Sequence, residues 1–487
     1  MTQKKTDLLK PVRHCLAPIS RRDWLRELFY SGATLALPIS PISLLAKALT
    51  QSPAHNPPQN PRYGPPQLPP LPATSPPPAT TSATTRYRFT SKEDAFLEDI
   101  ESTTFQFFWD SVDPAIGLVK DRSLARQQDA RNVASIAATG FGLTALCIAA
   151  ERGWQPRNAI LERARASFRF ALEKLPHEHG FFYHFLRMDT GERIFKSEVS
   201  TIDTAIFLCG ALTCRAYFAD DEVSHLVTAL YDRVDWAWFQ HGAPDNDQTL
   251  SMGWTPEHGY IKDRWAHYSE LMMLYLLAIG ANTQPLPASV WDAWVRPHFE
   301  FNGIRYIGSF APLFVHQYSH AWFDFRGRHD KYADYFTNSA IATEVHKIWC
   351  IEMSHQFPDY TQDLWGITAS DSQKGYTGWG GPPQIGHPDG TVVPAASAGS
   401  LPFLPQETLR VLETIRENYS QAAWSTYGFV DAFNPLTNWA SPDVIGIDSG
   451  ITIVMAENAR TGFVWQHFMS NPEIRRAMEK ANFQKNT

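Results

Sequence analysis

Acidic residues recur in this chain where loops enter apolar helical runs, and such groups can do chemistry. Lys196-Ser-Glu198-Val-Ser-Thr-Ile-Asp203 leads into Thr-Ala-Ile-Phe-Leu, and Trp265-Ala-His-Tyr-Ser-Glu270 leads into Leu-Met-Met-Leu. Asp324, Asp371, Asp431 and Asp448 lie in stretches dense with aromatic residues and glycine. Two carboxyl groups of unlike protonation can break a glycosidic bond: one donates a proton to the leaving oxygen, the other activates water or attacks the sugar carbon. Apolar surroundings raise a carboxyl pKa and keep the acid protonated near neutrality. Glu270, between Tyr268 and the Leu-Met-Met run, suits the acid, and Asp203 suits a buried partner. The competing reading is structural, since acids in a first helical turn cap N–H groups and meet the positive end of the helix dipole. Spacing alone leaves the working pair open.

Other residues suit substrate contact. His316, His320, Trp322, Phe323 and Arg326 lie in Phe314-Val-His-Gln-Tyr-Ser-His-Ala-Trp-Phe-Asp-Phe-Arg326, too polar and bulky for an ordinary core helix. Asp363, Trp365, Asp371, Tyr376 and Trp379 lie in a stretch ending Gly375-Tyr-Thr-Gly-Trp-Gly-Gly-Pro382, and Asp431 lies further on. The glycines allow close backbone approach. No Lys-Ser/Thr follows them, which argues against a phosphate cradle. Aromatic residues make up 13% of the chain, with 16 Trp, more than packing alone requires. Flat amphipathic rings on a concave surface suit ligands that are apolar on one face and hydroxylated at the edge, as sugars are. For any one ring, anchoring a loop is the alternative.

These groups need a scaffold, and from Ser91 onward the pattern is helical. Ser91 is the expected N-cap, with Asp94 as its partner, and the run to Trp109 puts Phe96, Ile100, Thr104, Phe107 and Phe108 on one stripe. Further helices are expected over 133–152, 158–175, 201–218, 223–239, 268–279, 332–357, 406–419, 449–461 and 472–479. Some, such as Ile202 to Leu212 and Leu271 to Leu277, are apolar nearly all round, whereas 158–175 is amphipathic. Helices of the first kind belong inside and those of the second in a surrounding layer. Their alternation describes an all-α, double-layered (α/α)6 toroid with long aromatic-rich loops. Strand-like alternation is brief, around Gly180 to Phe185 and Gly303 to Ile307.

The chain has 487 residues. Residues 1–48 read as a twin-arginine-like export signal: a basic start, Ser20-Arg-Arg-Asp-Trp-Leu25, an apolar stretch, then Ala46-Lys-Ala48. That stretch is too short and interrupted for a stable membrane span. Residues 49–89, rich in Pro, Thr, Ser and Ala, read as a disordered tether, leaving 90–487 as a single catalytic domain and a periplasmic or secreted destination. A formal charge of −7 and a pI near 6.2 give no reason to expect nucleic acid as a partner. The five cysteines form no Cys-x-x-Cys pair and no compact Cys/His cluster, so the thiols are expected to be buried small hydrophobes, with no metal and no cofactor.

The motifs also carry a resemblance. Ser200-Thr-Ile-Asp-Thr-Ala205, Tyr268-Ser-Glu-Leu-Met-Met-Leu-Tyr275, Phe314 to Arg326, Asp363 to Asp371, Ser400-Leu-Pro-Phe-Leu-Pro405, Tyr427 to Asn434 and Ile445-Gly-Ile-Asp-Ser-Gly-Ile451 resemble the bacterial glycoamylase-like domain. That group is similar to glycoside hydrolase family 144 and to the glycan-processing domain of cyclic β-1,2-glucan synthases. The resemblance covers most of the chain after residue 90. It implies an (α/α)6 barrel acting on glucan, with β-1,2-glucan the best-supported substrate and no metal requirement. It supports Glu270 as proton donor and leaves Glu198, Asp203 and Asp448 as rivals for the second carboxylate. Endo hydrolysis with inversion is the expectation; a transglycosylase of the same fold and a non-catalytic glycan-binding or envelope protein are the alternatives.

Overall fold

The computed structural model describes residues 87–242, 248–309, 312–382, 384–385 and 387–486. The export signal expected over 1–48 and nearly all of the tether over 49–89 lie outside them. The helices that build the ring are α1 (Ser91–Asp110), α2 (Ile136–Arg152), α3 (Arg157–Glu173), α4 (Thr201–Phe218), α5 (Asp221–Asp232), α6 (Met272–Gly280), α7 (Tyr335–Glu352), α8 (Pro394–Ala398), α9 (Pro405–Asn418), α10 (Gly446–Arg460), α11 (Phe463–Phe468) and α12 (Pro472–Lys480).

Burial sorts them into two layers, as their composition requires. Every residue of α2 from Ile136 to Ala149 is buried, as is all of α6 and α4 from Thr201 to Cys214. Around them, α3 buries only Ile160, Ala164, Ser167, Phe168 and Ala171, and α5 only Val223, Leu226, Val227, Leu230 and Tyr231. That spacing of three and four residues puts one stripe inward. α2, α4, α6, α8 and α10 line the inside of an (α/α)6 toroid. Two 3-10 turns, Leu313–His316 and Ser319–Ala321, stand in the wall where a further inner helix would be.

Inner helices approach closely because glycines face each other. A Cβ on Gly210 of α4 would lie 2.1 Å from the carbonyl oxygen of Gly140 on α2, and one on Gly450 of α10 would lie 2.2 Å from the ring of Phe141. At Gly210 backbone meets backbone, at Gly450 backbone meets an aromatic ring, and nothing larger than glycine fits at either.

Short strands precede the inner helices. Val133–Ser135 pairs with Phe185–Arg187 just before α2, Arg122–Leu124 pairs with Asp443–Ile445 just before α10, and Val199–Ser200 joins Gly253–Thr255 and Gly259–Tyr260 just before α4. The helix expected from Val133 therefore begins three residues later, after Ser135 caps it by accepting from Ala138 N at 3.2 Å. The helix expected over 223–239 stops at Asp232, and Trp236–Gln240 forms a separate 3-10 turn. At α1 the cap is Thr90 with Glu93, not Ser91 with Asp94. Glu93 is long enough to accept from the Thr90 N–H at 2.6 Å, which closes the reciprocal pair.

Cys147, Cys209, Cys214 and Cys350 are buried and free, as composition suggested. The sulfur atoms of Cys147 and Cys214 lie 3.4 Å apart across the α2–α4 contact. No described helix is long and apolar enough to cross a membrane.

Candidate active site

Hydrogen bonds link the segments that enter α2, α4, α6 and α10 into a circuit at one end of the ring. Ile136 N, opening α2, donates to His184 O at 3.2 Å, and His184 N donates to Glu198 O at 2.9 Å. Thr201 Oγ1, opening α4, accepts from Trp265 Nε1 at 2.8 Å. Glu270 O, just before α6, accepts from Ser319 Oγ at 2.8 Å. Tyr318 OH donates to Ile447 O at 3.5 Å, beside Gly446, whose N–H donates to Asp121 O at 2.7 Å. Asp121 N donates to Val133 O at 2.9 Å, and the circuit returns to α2.

This rim carries the acids that sequence singled out. Asp203 stands in the first turn of α4 and Asp448 in the first turn of α10. Glu198 lies on the hairpin entering α4, and Glu270 sits in the turn entering α6, only 1% exposed. Tyr268, beside Glu270, bonds His316 Nδ1 across 3.1 Å, and burial pushes its hydroxyl up to about 12. First-turn positions give Asp203 and Asp448 the favourable end of the helix dipole.

Two clusters form on the rim. In the first, His184 Nδ1 lies 3.1 Å from Glu198 Oε1 and 3.8 Å from Asp203 Oδ2. Ser200 caps α4 by accepting from Asp203 N at 3.1 Å, and its hydroxyl donates to Asp203 Oδ2. The His184 ring stacks on Phe185 with centroids 3.9 Å apart. These three residues each offer one ligand atom within 4.8 Å of the others. They could hold a divalent cation, and His184 and Ser200 each hydrogen-bond one oxygen of a carboxyl group there.

In the second cluster, Arg122 Nη1 lies 3.0 Å from Asp371 Oδ1, and Arg122 Nε lies 3.0 Å from Asp121 Oδ2. Ser441 Oγ donates to Asp371 Oδ2 at 3.0 Å, and Asp371 N donates to Asp431 Oδ2 at 2.6 Å. Burial, and then the charges of Asp371 and Asp448, push the Asp431 carboxyl well above the usual carboxylate range. Asp431 and Asp448 both line a cavity of about 10 Å³, the size of one water.

The expected substrate contacts separate. Asp371 and Asp431 belong to the rim, and Tyr376 is paired with Asp371 in the hairpin Ser370–Ser372/Gly375–Thr377, its side chain half-buried. Trp379 donates from Nε1 to Ser370 Oγ at 2.9 Å and is buried. His316 is buried at the rim under Tyr268.

His320, Trp322 and Phe323 are not cleft residues: all three are 0% exposed. Trp322 Nε1 donates to Thr144 Oγ1 on α2 at 3.0 Å, His320 Nε2 pairs with Ser339 Oγ on α7 at 3.1 Å, and Phe323 packs on Phe468 of α11. Arg326 pairs with Asp324 and lies over the Trp465 ring of α11, beyond the C-terminal end of α10 and so at the far end of the ring. Trp365 is wholly buried, and Asp363 is exposed near Arg410 of α9. The segment that looked too polar for a core runs through the wall of the ring.

Three rim residues are not marked as site residues by local sequence pattern: His184, Arg122 and Trp265. His184 sits in Phe181-Phe-Tyr-His-Phe185, whose pattern shows only strand alternation. The roles of Arg122 and Trp265 depend on partners far away in the chain, which no local pattern shows.

The Glycoamylase family model, described as "putative glucoamylase", matches residues 262–472. A protein of the same description from Bacteroides uniformis is 30% identical, with 82% of this chain and 99% of that one aligned at a TM-score of 0.76. The endo-β-1,2-glucanase of Chitinophaga pinensis, solved with sophorotriose and glucose, is 29% identical over 81% of this chain and 99% of its own, at a TM-score of 0.74. The exo β-1,2-glucooligosaccharide sophorohydrolase (non-reducing end) of Parabacteroides distasonis is 27% identical over 438 residues, 82% of this chain. This chain spans 59% of the length of that relative.

Proposed function

Since the chain belongs to the Glycoamylase family, we propose that it is a glycoside hydrolase that cleaves β-1,2-linked glucan within the chain. The observation that carries this reading is the single rim on which Glu198, Asp203, Glu270 and Asp448 gather at the starts of inner helices. The endo-acting and exo-acting relatives that resemble the chain over most of its length both act on β-1,2-linked glucose.

In the proposed reaction Glu270 gives its proton to the glycosidic oxygen as the bond from that oxygen to C1 breaks. Burial suits a carboxyl that must hold a proton near neutrality. Asp203, Glu198 or Asp448 takes a proton from water as the water oxygen bonds to C1 from the opposite face. The anomeric centre is inverted, and the working carboxyls stand roughly 6.5–9.5 Å apart to admit the water. The domain needs no metal or cofactor for this chemistry, and acts outside the cytoplasm, a reading supported by the signal-like residues before Ala48.

Incubation with a panel of β- and α-linked glucans tests the reading. Short linear β-1,2 products are expected, with Glu270→Gln reducing the rate 10²-fold or more. Inertness across the panel, or a fully active Glu270→Gln, overturns it. Disaccharide released alone from chain ends would instead favour exo action, as the name of the Parabacteroides relative suggests; cyclic or elongated products would favour transfer.

A further inference from the structure

We propose that His184 is a positioning residue of this site: by donating from Nδ1 to Glu198, it fixes the Glu198 carboxyl group beside Asp203 on the rim. The inference rests on the reading that the rim cleaves glucan.

Each of the two carboxyl groups has its own hydrogen-bond partner. Ser200 gives a hydroxyl proton to Asp203 Oδ2, and Asp203 lies in the first turn of α4. His184 Nδ1 is 3.1 Å from Glu198 Oε1. A carboxylate oxygen accepts, which assigns the hydrogen of that contact to Nδ1 in the proposed arrangement. The His184 ring is stacked on Phe185, its main-chain carbonyl accepts from Ile136 N at the start of α2, and its main-chain N–H donates to Glu198 O. The same residue therefore grips Glu198 twice, through main chain and side chain. A group held this way is oriented before substrate arrives, which is worth rate rather than binding.

His184→Ala is expected to lower kcat on β-1,2-glucan about 100-fold while KM changes less than about 3-fold. His184→Asn places an amide N–H where Nδ1–H stood, and is expected to recover activity to within about 10-fold of wild type. A purely structural role would be read in folding, so unfolding midpoints of both variants are measured beside the kinetics. An unchanged kcat in His184→Ala, or His184→Asn no better than His184→Ala at equal stability, overturns the inference. Nitrogen-15 NMR of labelled protein gives a readout independent of turnover. A protonated Nδ1 whose resonance moves in Glu198→Gln supports the inference, and an unprotonated Nδ1 overturns it. Should the wild-type protein leave glucan intact, the functional reading falls, and the NMR result alone then decides whether His184 holds Glu198.

Discussion

Asp371 and Asp431 share a hydrogen bond but not a charge environment. The main-chain N–H of Asp371 donates to Asp431 Oδ2 across 2.6 Å, while Arg122 and Ser441 hold the Asp371 carboxylate. Among the described residues Asp431 Oδ1 has no hydrogen-bond partner, and burial with two acidic neighbours raises the pKa of Asp431. The folded protein therefore keeps a proton that the unfolded chain releases above about pH 4. A raised carboxyl pKa means stability is complete below that pH and falls as pH rises.

Asp431→Asn, which keeps the accepting oxygen and needs no proton, should be more stable than wild type at pH 8 by an amount on the order of 1 kcal/mol. The gain should vanish near pH 4. Urea unfolding at the two pH values measures it, and a destabilised variant at pH 8 would refute the assignment.

Three histidines give the opposite slope. Burial lowers His316, His320 and His346 to about 3 each. They stay neutral when folded but take up protons near pH 6.5 when unfolded, so their stabilisation is complete above pH 6.5 and is lost as pH falls towards 3. Each group costs about 1.4 kcal/mol per pH unit within that window. Stability should drop by several kcal/mol between pH 7 and pH 5. His346→Gln keeps an acceptor for the Ile367 N–H, which bonds His346 Nε2 at 3.0 Å, and should remove roughly a third of the slope. An unaltered slope would count against it.

The glycine contact between α2 and α4 predicts a sharp contrast. Gly210→Ala drives a methyl group into the Gly140 carbonyl and should cost about 3 kcal/mol or more. Gly153→Ala, in a left-handed cap with open space around it, should cost only about 1 kcal/mol. Equal losses in thermal unfolding would contradict the close approach.

The stereochemistry of cleavage is directly observable. Proton NMR within the first minutes of digestion should show the anomer opposite to that of the substrate linkage before mutarotation mixes the two. Retention of configuration would require a covalent intermediate and carboxyl groups only about 5 Å apart, and would shift attention to the tight pair Glu198 and Asp203.

How much of this was legible beforehand follows from what local pattern can encode. The inner helices announced themselves because a run such as Met272 to Gly280 has no polar face to turn outward. The acids at helix starts were visible for the same reason: each interrupts such a run. The segment Phe314 to Arg326 misled, and the cause is physical. It crosses the wall as irregular 3-10 turns without a continuous helical ladder, so other side chains must satisfy its backbone. Phe314 N donates to Thr368 Oγ1, Trp465 Nε1 donates to His320 O and Asn458 Nδ2 to Ala321 O, while the segment's own Gln317 Nε2 donates outward to Ala396 O. Its polarity serves those internal bonds, which from sequence look the same as polarity aimed at a ligand. His184 was hidden because its value lies in a carboxylate fourteen residues later, brought back by a hairpin of only a few residues.

The strand pair Arg122–Leu124 with Asp443–Ile445 has a further consequence during biosynthesis. The first partner leaves the ribosome more than three hundred residues before the second, so neither the Arg122 cluster nor the closed rim can exist on a nascent chain. Early helices can pair as they emerge, but the apolar flank of α2 that α10 later covers must wait. Contacts so distant in sequence make assembly slow and leave an intermediate exposed to aggregation, which makes translation rate and chaperone supply the levers for producing this protein in quantity.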